Sequence, residues 1–235
     1  MNTYSIRLTC LSHALIGSGE GFGAVIDADI MFDDVGIPYI PAKRVKGCLR
    51  EAAVEARDML QASGLPSPID IDTTFGTNPA EHSDKNDEPE LVQGAVRFSN
   101  LMIDDYAQNY DWLNYLLHCK DEKDRLSKQE IVNAFTAIRQ QTAIDKVSGV
   151  AYDHSLRTVR VLKRDNSFSG VISVNGVKNE AEMKPIIHTL ALACRNLRRI
   201  GTSRNRGFGD VICQLVDSKG VEIPFEQLLT MGGDA

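Results

Sequence analysis

Hydrophobic and polar positions alternate over residues 4–11, with Tyr4, Ile6, Leu8 and Cys10 on one side, and this predicts a half-buried strand. A Gly-rich stretch follows at 17–23, then a second predicted strand over 24–32 that ends in the turn-forming run Asp33-Asp34-Val35-Gly36. Ile37-Pro38-Tyr39-Ile40-Pro41 must be extended, because a residue before proline avoids the helical region, and Pro41 is suited to open a helix. From 43 to 62 the apolar residues Val45, Leu49, Ala52, Ala53, Ala56, Met59 and Leu60 recur with helical period. That stripe predicts an amphipathic helix with Lys43, Lys46, Arg50 and Arg57 on its other face.

Periodicity is lost between 64 and 90, and the Asp-, Glu- and Asn-rich part from 77 to 90 reads as a mobile acidic loop. A strand is predicted over 93–103 and helices over 106–118 and 127–138, the second with Ser127 as N-cap and Glu130 at the capping-box position. Short apolar runs around Gly149 and Asp153 predict a long, irregular hairpin over about 140–162. A strand over 168–174 ends at Asn175-Gly176, a helix over 180–200 is closed by Gly201, and a last strand covers 208–216. The order predicts an α+β protein around an antiparallel sheet. With no repeat and no convincing linker, residues 1–235 read as one domain.

Composition adds exclusions. At 43% hydrophobic and 25% charged, the 235-residue chain belongs with globular proteins and not with disordered or fibrous ones. Five scattered cysteines without a CxxC pair, no signal-peptide pattern at the start and no bilayer-length apolar run predict a cytoplasmic protein, not a membrane one. The net charge of -6 excludes a general coat for polyanions. Its distribution changes that picture: residues 139–210 hold 13 Lys/Arg against 6 Asp/Glu, net +7, and the rest of the chain is -13. Such asymmetry is the footprint of a confined anion site, or of an unevenly charged solvated surface.

Candidate chemistry gathers in three places. The segment Gly201-Thr202-Ser203-Arg204-Asn205-Arg206-Gly207-Phe208-Gly209 combines glycines for close backbone approach, two hydroxyls and two guanidiniums, which reads as a phosphate cradle. A helix C-cap with an ordinary turn has a similar composition. Lys184, His188, Arg195 and Arg199 are spaced to form a basic helical stripe leading to this loop, although cations in a last turn also serve the helix dipole. Lys43, Arg44, Lys46 and Arg50 crowd a helix start, where the dipole disfavours cations unless an anion binds there. Asp27 and Asp29 alternate with apolar neighbours on one side of the predicted strand, a placement that suits either a hydrated divalent ion or plain exposed acids. The five histidines lack any mutual spacing for a metal or a relay.

The chain resembles the RAMP superfamily of CRISPR effector proteins, particularly the repeated backbone subunit of type III RNA-targeting complexes. The resemblance rests on the first strand and Gly-rich loop, Ile37-Pro38-Tyr39-Ile40-Pro41 leading to Lys46-Gly47-Cys48-Leu49-Arg50, Thr74-Phe75-Gly76, Gly94-Ala95-Val96-Arg97-Phe98, Ala143-Ile144-Asp145 and the 201–209 loop. It implies a ferredoxin-like, RNA-recognition-motif-type core with inserted helices, stacked in copies along a guide CRISPR RNA beside other effector subunits. The hairpin would be a thumb wedged between guide and target. RNA contacts would fall on Lys43, Arg44, Lys46, Arg50, Arg195, Arg199, Ser203, Arg204, Arg206 and Gly207. The family often has Gly-Ser-Ser after the second proline, and Ala42-Lys43-Arg44 stands here, so cations would replace hydroxyls. By order and context Asp27 matches the acid with which cutting members cleave target RNA, using Mg2+ or another divalent metal. Non-cutting scaffold members and guide-precursor processing ribonucleases share this fold; for the latter, His13 is the only early histidine.

Overall fold

The computed structural model describes residues 2–17, 26–78, 92–121 and 123–224. The Gly-rich stretch beyond Gly17 and the acidic loop beyond Asn78 lie outside the described residues. The first half of the chain forms β1 (Asn2–Cys10), β2 (Tyr39–Ile40), α1 (Ala42–Ala62), α2 (Ile71–Phe75), β3 (Val96–Phe98), β4 (Leu101–Ile103) and α3 (Tyr106–Leu117). The second half forms α4 (Lys128–Phe135), β5 (Thr136–Gln141), β6 (Arg157–Leu162), β7 (Ser167–Val174), α5 (Glu180–Asn196) and β8 (Val211–Val216).

All pairings of the main sheet are antiparallel, in the order β2-β4-β7-β1-β8, with β3 also on β7. β3 and β4 share one edge of β7 and act as a single interrupted strand. The interruption has a use: Ser99 Oγ accepts the Val171 amide at 2.8 Å, and Asn100 Oδ1 accepts the Ala42 amide at 2.9 Å, capping α1 in place of Pro41. Counting that strand as one, β1, α1, β3/β4, β7, α5 and β8 make the βαββαβ order of a ferredoxin-like fold. The period-two pattern of β1 sends Ile6, Leu8 and Cys10 into the core with Phe168 and Ile172 of β7, where Val45 and Leu49 of α1 and Ile186 and Leu190 of α5 cover them. Each such buried aliphatic side chain stabilises the fold by roughly 2 kcal/mol. No helix among the described residues is long and apolar enough to cross a membrane.

Several element ends depart from local expectation. The predicted 24–32 strand appears, over its described part, only as isolated bridges, Gly17 with Ile30, Ala28 with Val159 and Phe32 with Pro38. The helix predicted to reach residue 138 stops at Phe135, because Thr136 turns extended and Thr136 to Gln141 pair with β6 as a hairpin. Its capping box is present as predicted. The helix predicted to end at 200 stops at Asn196, so Gly201 does not close it. Instead, at Gly201 (φ +87°), a Cβ would collide with the Leu15 carbonyl. Helix α2, capped by Asp70 at the Thr73 amide (3.0 Å), arises inside the stretch expected to be irregular.

Candidate nucleic-acid interface

A cleft of about 1540 Å³ opens between the middle of α1, the 197–206 segment, the base of the β5–β6 hairpin and residues 27–28. The 201–209 loop is pinned at its root. The Thr202 amide donates to the Leu15 carbonyl (2.9 Å), Gly209 to the His13 carbonyl (2.7 Å) and Ile200 to the Gly209 carbonyl (2.8 Å). Between these anchors Ser203 (φ +59°) and Gly207 (φ +77°) take left-handed conformations and bracket a single 3-10 turn, Arg204–Arg206. For Ser203 that conformation costs about 1 kcal/mol, which the anchored loop must supply. The two arginines are thereby turned outward.

The guanidiniums of this region differ in freedom. Arg206 is exposed and has no side-chain partner among the described residues. Arg204 lies 3.5 Å from Glu51 Oε2, with both side chains substantially exposed. Arg199 donates through Nε to Asp210 Oδ1 (2.8 Å) and through Nη1 to the Arg204 carbonyl (3.3 Å), so it braces the loop. Arg199 lies beyond the end of α5, and His188 is buried, so the predicted stripe of Lys184, His188, Arg195 and Arg199 does not exist as one face. Only Arg195 remains in the last helical turn, exposed and outside the cleft lining.

At the start of α1 no acid offsets Lys43 and Arg44, and Arg44 Nη2 donates to the Gly17 carbonyl (3.2 Å). Lys43 is exposed and Lys46 and Arg50 are half-buried; none of the four lines the cleft, which begins at Cys48 on the same helix. Burial pushes the Cys48 thiol up despite the neighbouring Arg204 and Arg44, which leaves it a poor nucleophile.

The two strand acids part company. Asp27 is exposed at the cleft, and its Oδ2 accepts the Thr158 amide at 2.7 Å. Asp29 is 6% exposed and its Oδ2 meets Arg160 Nη1 at 2.7 Å. The two carboxylates, expected on one side of a strand, both meet β6 but differ in exposure, because Arg160, 131 residues from Asp29, holds the second one in a buried pair. His13 is half-buried, its Nε2 lies 3.3 Å from Arg139 Nη2, and partial burial, then Arg139, Arg164 and Lys163, hold its pKa below the usual value. Among the described residues no group of three or more His, Cys, Asp or Glu side chains is arranged to hold a metal ion.

Arg157 and Arg198 also line the cleft, although neither is among the RNA-binding residues expected from the sequence. Both belong to the +7 segment, but Arg198, at the end of the predicted 180–200 helix, reads locally as a cation serving the helix dipole, and nothing in the spacing of Arg157 distinguishes it from a surface cation.

Comparison with known proteins is consistent with this architecture. No curated protein matches the chain. Among solved structures it is similar to a chain of the type III-B Cmr-beta cryo-EM structure in the apo state, at 14% identity and a TM-score of 0.59, covering 92% of this chain and 98% of that one. A chain of type III-B Cmr-beta bound to cognate target RNA gives 12% identity and a TM-score of 0.60, covering 92% and 97%. The family model that matches residues 7–211 is that of the RAMP superfamily, and the chain belongs to that family.

Proposed function

We propose that the chain is a guide-RNA-binding backbone subunit of a type III CRISPR effector complex, in the cytoplasm, and that it cuts complementary target RNA with Asp27. The observation that carries this reading is the presence of an exposed, oriented Asp27 in the same cleft as Arg157, Arg198, Arg204 and Arg206. Family membership and the likeness to a chain from a target-bound structure support it. Guide phosphates would be met by Lys43, Arg44, Lys46 and Arg50 at the start of α1 and by Arg195, with Ser203, Arg204, Arg206 and Gly207 continuing the path and Arg199 bracing it.

The β5–β6 hairpin exposes Ile144, Val147, Val150, Tyr152 and Leu156, side chains suited to pack against bases or a neighbouring copy of the chain. That makes it the natural thumb between guide and target. Other effector subunits would complete the assembly.

In the reaction, the 2'-hydroxyl of a target nucleotide attacks its own 3'-phosphate in line, forming a cyclic phosphate and releasing the next nucleotide's 5'-oxygen, which takes up a proton. The Thr158 amide occupies Asp27 Oδ2, and among the described residues nothing bonds to Oδ1, which is left to accept the proton of the attacking hydroxyl. A divalent cation such as Mg2+ would be held, on this chain, by Asp27 alone of the two acids, because Asp29 is committed to Arg160. Bound there, it would offset charge on the phosphate.

Asp27→Asn in the assembled complex with magnesium should retain target binding and slow cutting by about a hundredfold or more. Unchanged cutting would overturn the assignment, and absence of cutting by the unaltered complex would favour a non-cutting scaffold. The Arg139 contact ties up one of the two His13 ring nitrogens, Nε2, which counts against His13 as the base of a processing ribonuclease. Specific cleavage of guide-precursor repeats by the isolated chain would reverse that view.

A further inference from the structure

We propose that the buried Asp29–Arg160 ion pair is a positioning device that seats the 27–30 segment on β6 and so holds Asp27 at the cleft. This rests on the reading of Asp27 as the cutting residue. Residues 26–30 belong to no regular strand, and the segment meets the hairpin through one parallel bridge, Ala28 with Val159. Three hydrogen bonds run across that junction: Asp27 amide to Thr158 carbonyl (2.8 Å), Thr158 amide to Asp27 Oδ2 (2.7 Å) and Arg160 amide to Ala28 carbonyl (3.0 Å). So short a junction has little intrinsic register, and a slip would turn Asp27 away from the cleft.

The ion pair supplies a lock that the backbone lacks. Asp29 Oδ2 accepts from Arg160 Nη1 at 2.7 Å, Asp29 Oδ1 accepts the Ile30 amide at 2.8 Å, and the guanidinium lies 5.8 Å from the centre of the Phe32 ring. Both side chains are at most 9% exposed, and Arg160 Nε has no hydrogen-bond partner among the described residues. An incompletely satisfied buried pair is a poor source of stability, and well-packed apolar residues in its place are often neutral or better. Its retention is accounted for by geometry: the pair joins positions 131 residues apart, two residues beyond Asp27 on one side and Thr158 on the other. Asp29 and Arg160 touch no cleft surface, so their effect on cutting runs through Asp27.

The test uses the assembled complex with guide RNA, target RNA and magnesium. Asp29→Leu combined with Arg160→Met removes both charges at once, because either single removal strands the other charge in the core. Two readouts are taken beside thermal unfolding: single-turnover cutting at saturating and half-saturating target, and amide exchange of Thr158 relative to Leu162. The expected result is unchanged unfolding, unchanged half-saturation, cutting at least tenfold slower and Thr158 exchange at least tenfold faster. Cutting and Thr158 exchange both like the unaltered complex would overturn the proposal.

Should the double variant not fold, Arg160→Lys, which keeps the charge and loses the guanidinium fork, is read the same way, with a smaller loss in maximal rate expected and an unaltered rate overturning the proposal. Asp27→Asn is run in parallel. If it cuts normally, the cutting assignment fails by itself, and Thr158 exchange in the paired variant still decides whether the ion pair positions Asp27.

Discussion

Asp27 and Thr158 are joined twice: the Asp27 amide donates to the Thr158 carbonyl at 2.8 Å, and the Thr158 amide donates back to the Asp27 carboxylate at 2.7 Å. The exchange makes the acid of the cleft a rider on the hairpin strand β6. Whatever the hairpin packs against therefore influences where Asp27 stands.

Charge reversal should separate the arginines of the loop. Arg206→Glu, at an exposed side chain with no partner among the described residues, should weaken RNA binding and lower the salt-dependence slope by roughly one unit for each phosphate no longer neutralised. Arg199→Glu should instead lower the unfolding temperature, because it places a carboxylate against Asp210. Binding isotherms at several salt concentrations and thermal melts check the two.

Gly47 lies in the interior of α1, and a Cβ built there meets nothing within 4 Å. Glycine at such a position destabilises a helix by about 1 kcal/mol relative to alanine, and no packing within the described chain uses the space. Gly47→Ala should therefore stabilise the isolated chain by about 1 kcal/mol in denaturant titration. If that space admits RNA, the same variant should bind guide RNA several-fold more weakly.

Gly94 answers differently. A Cβ there would collide with the Phe75 carbonyl carbon and come within 2.6 Å of the Gly76 amide nitrogen, where the Ala95 amide already donates to the Thr73 carbonyl at 2.8 Å. Beside this crossing the Phe75 and Phe98 rings stack nearly parallel, centroids 6.3 Å apart. Gly94→Ala should cost about 3 kcal/mol, since backbone cannot yield as a side chain can. Equilibrium unfolding measures it.

At the hairpin tip the Asp145 carboxylate is held at a pKa of about 2, below its ordinary 3.8, by the Ser148 amide first, then the Tyr152 hydroxyl and the Val147 amide. A depressed carboxylate lends stability above its unfolded value and loses it as pH falls through the folded one. The tip should thus stay ordered down to about pH 4 and open toward pH 2, seen as faster amide exchange at Val147 and Ser148. Asp145→Asn should flatten that dependence.

Much of the scaffold could be read from local pattern. The alternation of Tyr4, Ile6, Leu8 and Cys10, the stripe from Val45 to Ala56 and the Ser127–Glu130 capping box each depend on residues within a turn or two of one another, and each forms as read. Element ends were less legible, since Thr136 to Gln141 leave the helical pattern only because β6 offers a partner.

Local pattern and charge counting are enough to imply an antiparallel α+β core, cations concentrated in its second half, and Asp27 and the 201–209 loop as separate candidates for chemistry. Long-range contacts then sort those candidates by what each is already bonded to. Asp29 was taken into a buried pair with Arg160 and Arg199 was tied to Asp210 at the cleft wall, while Arg157 and Arg198 were brought into the same cleft. The reason is physical: periodicity reports a side chain's relation to its own element, whereas exposure, ion pairing and hydrogen bonding depend on residues distant in sequence, which only the folded chain places side by side.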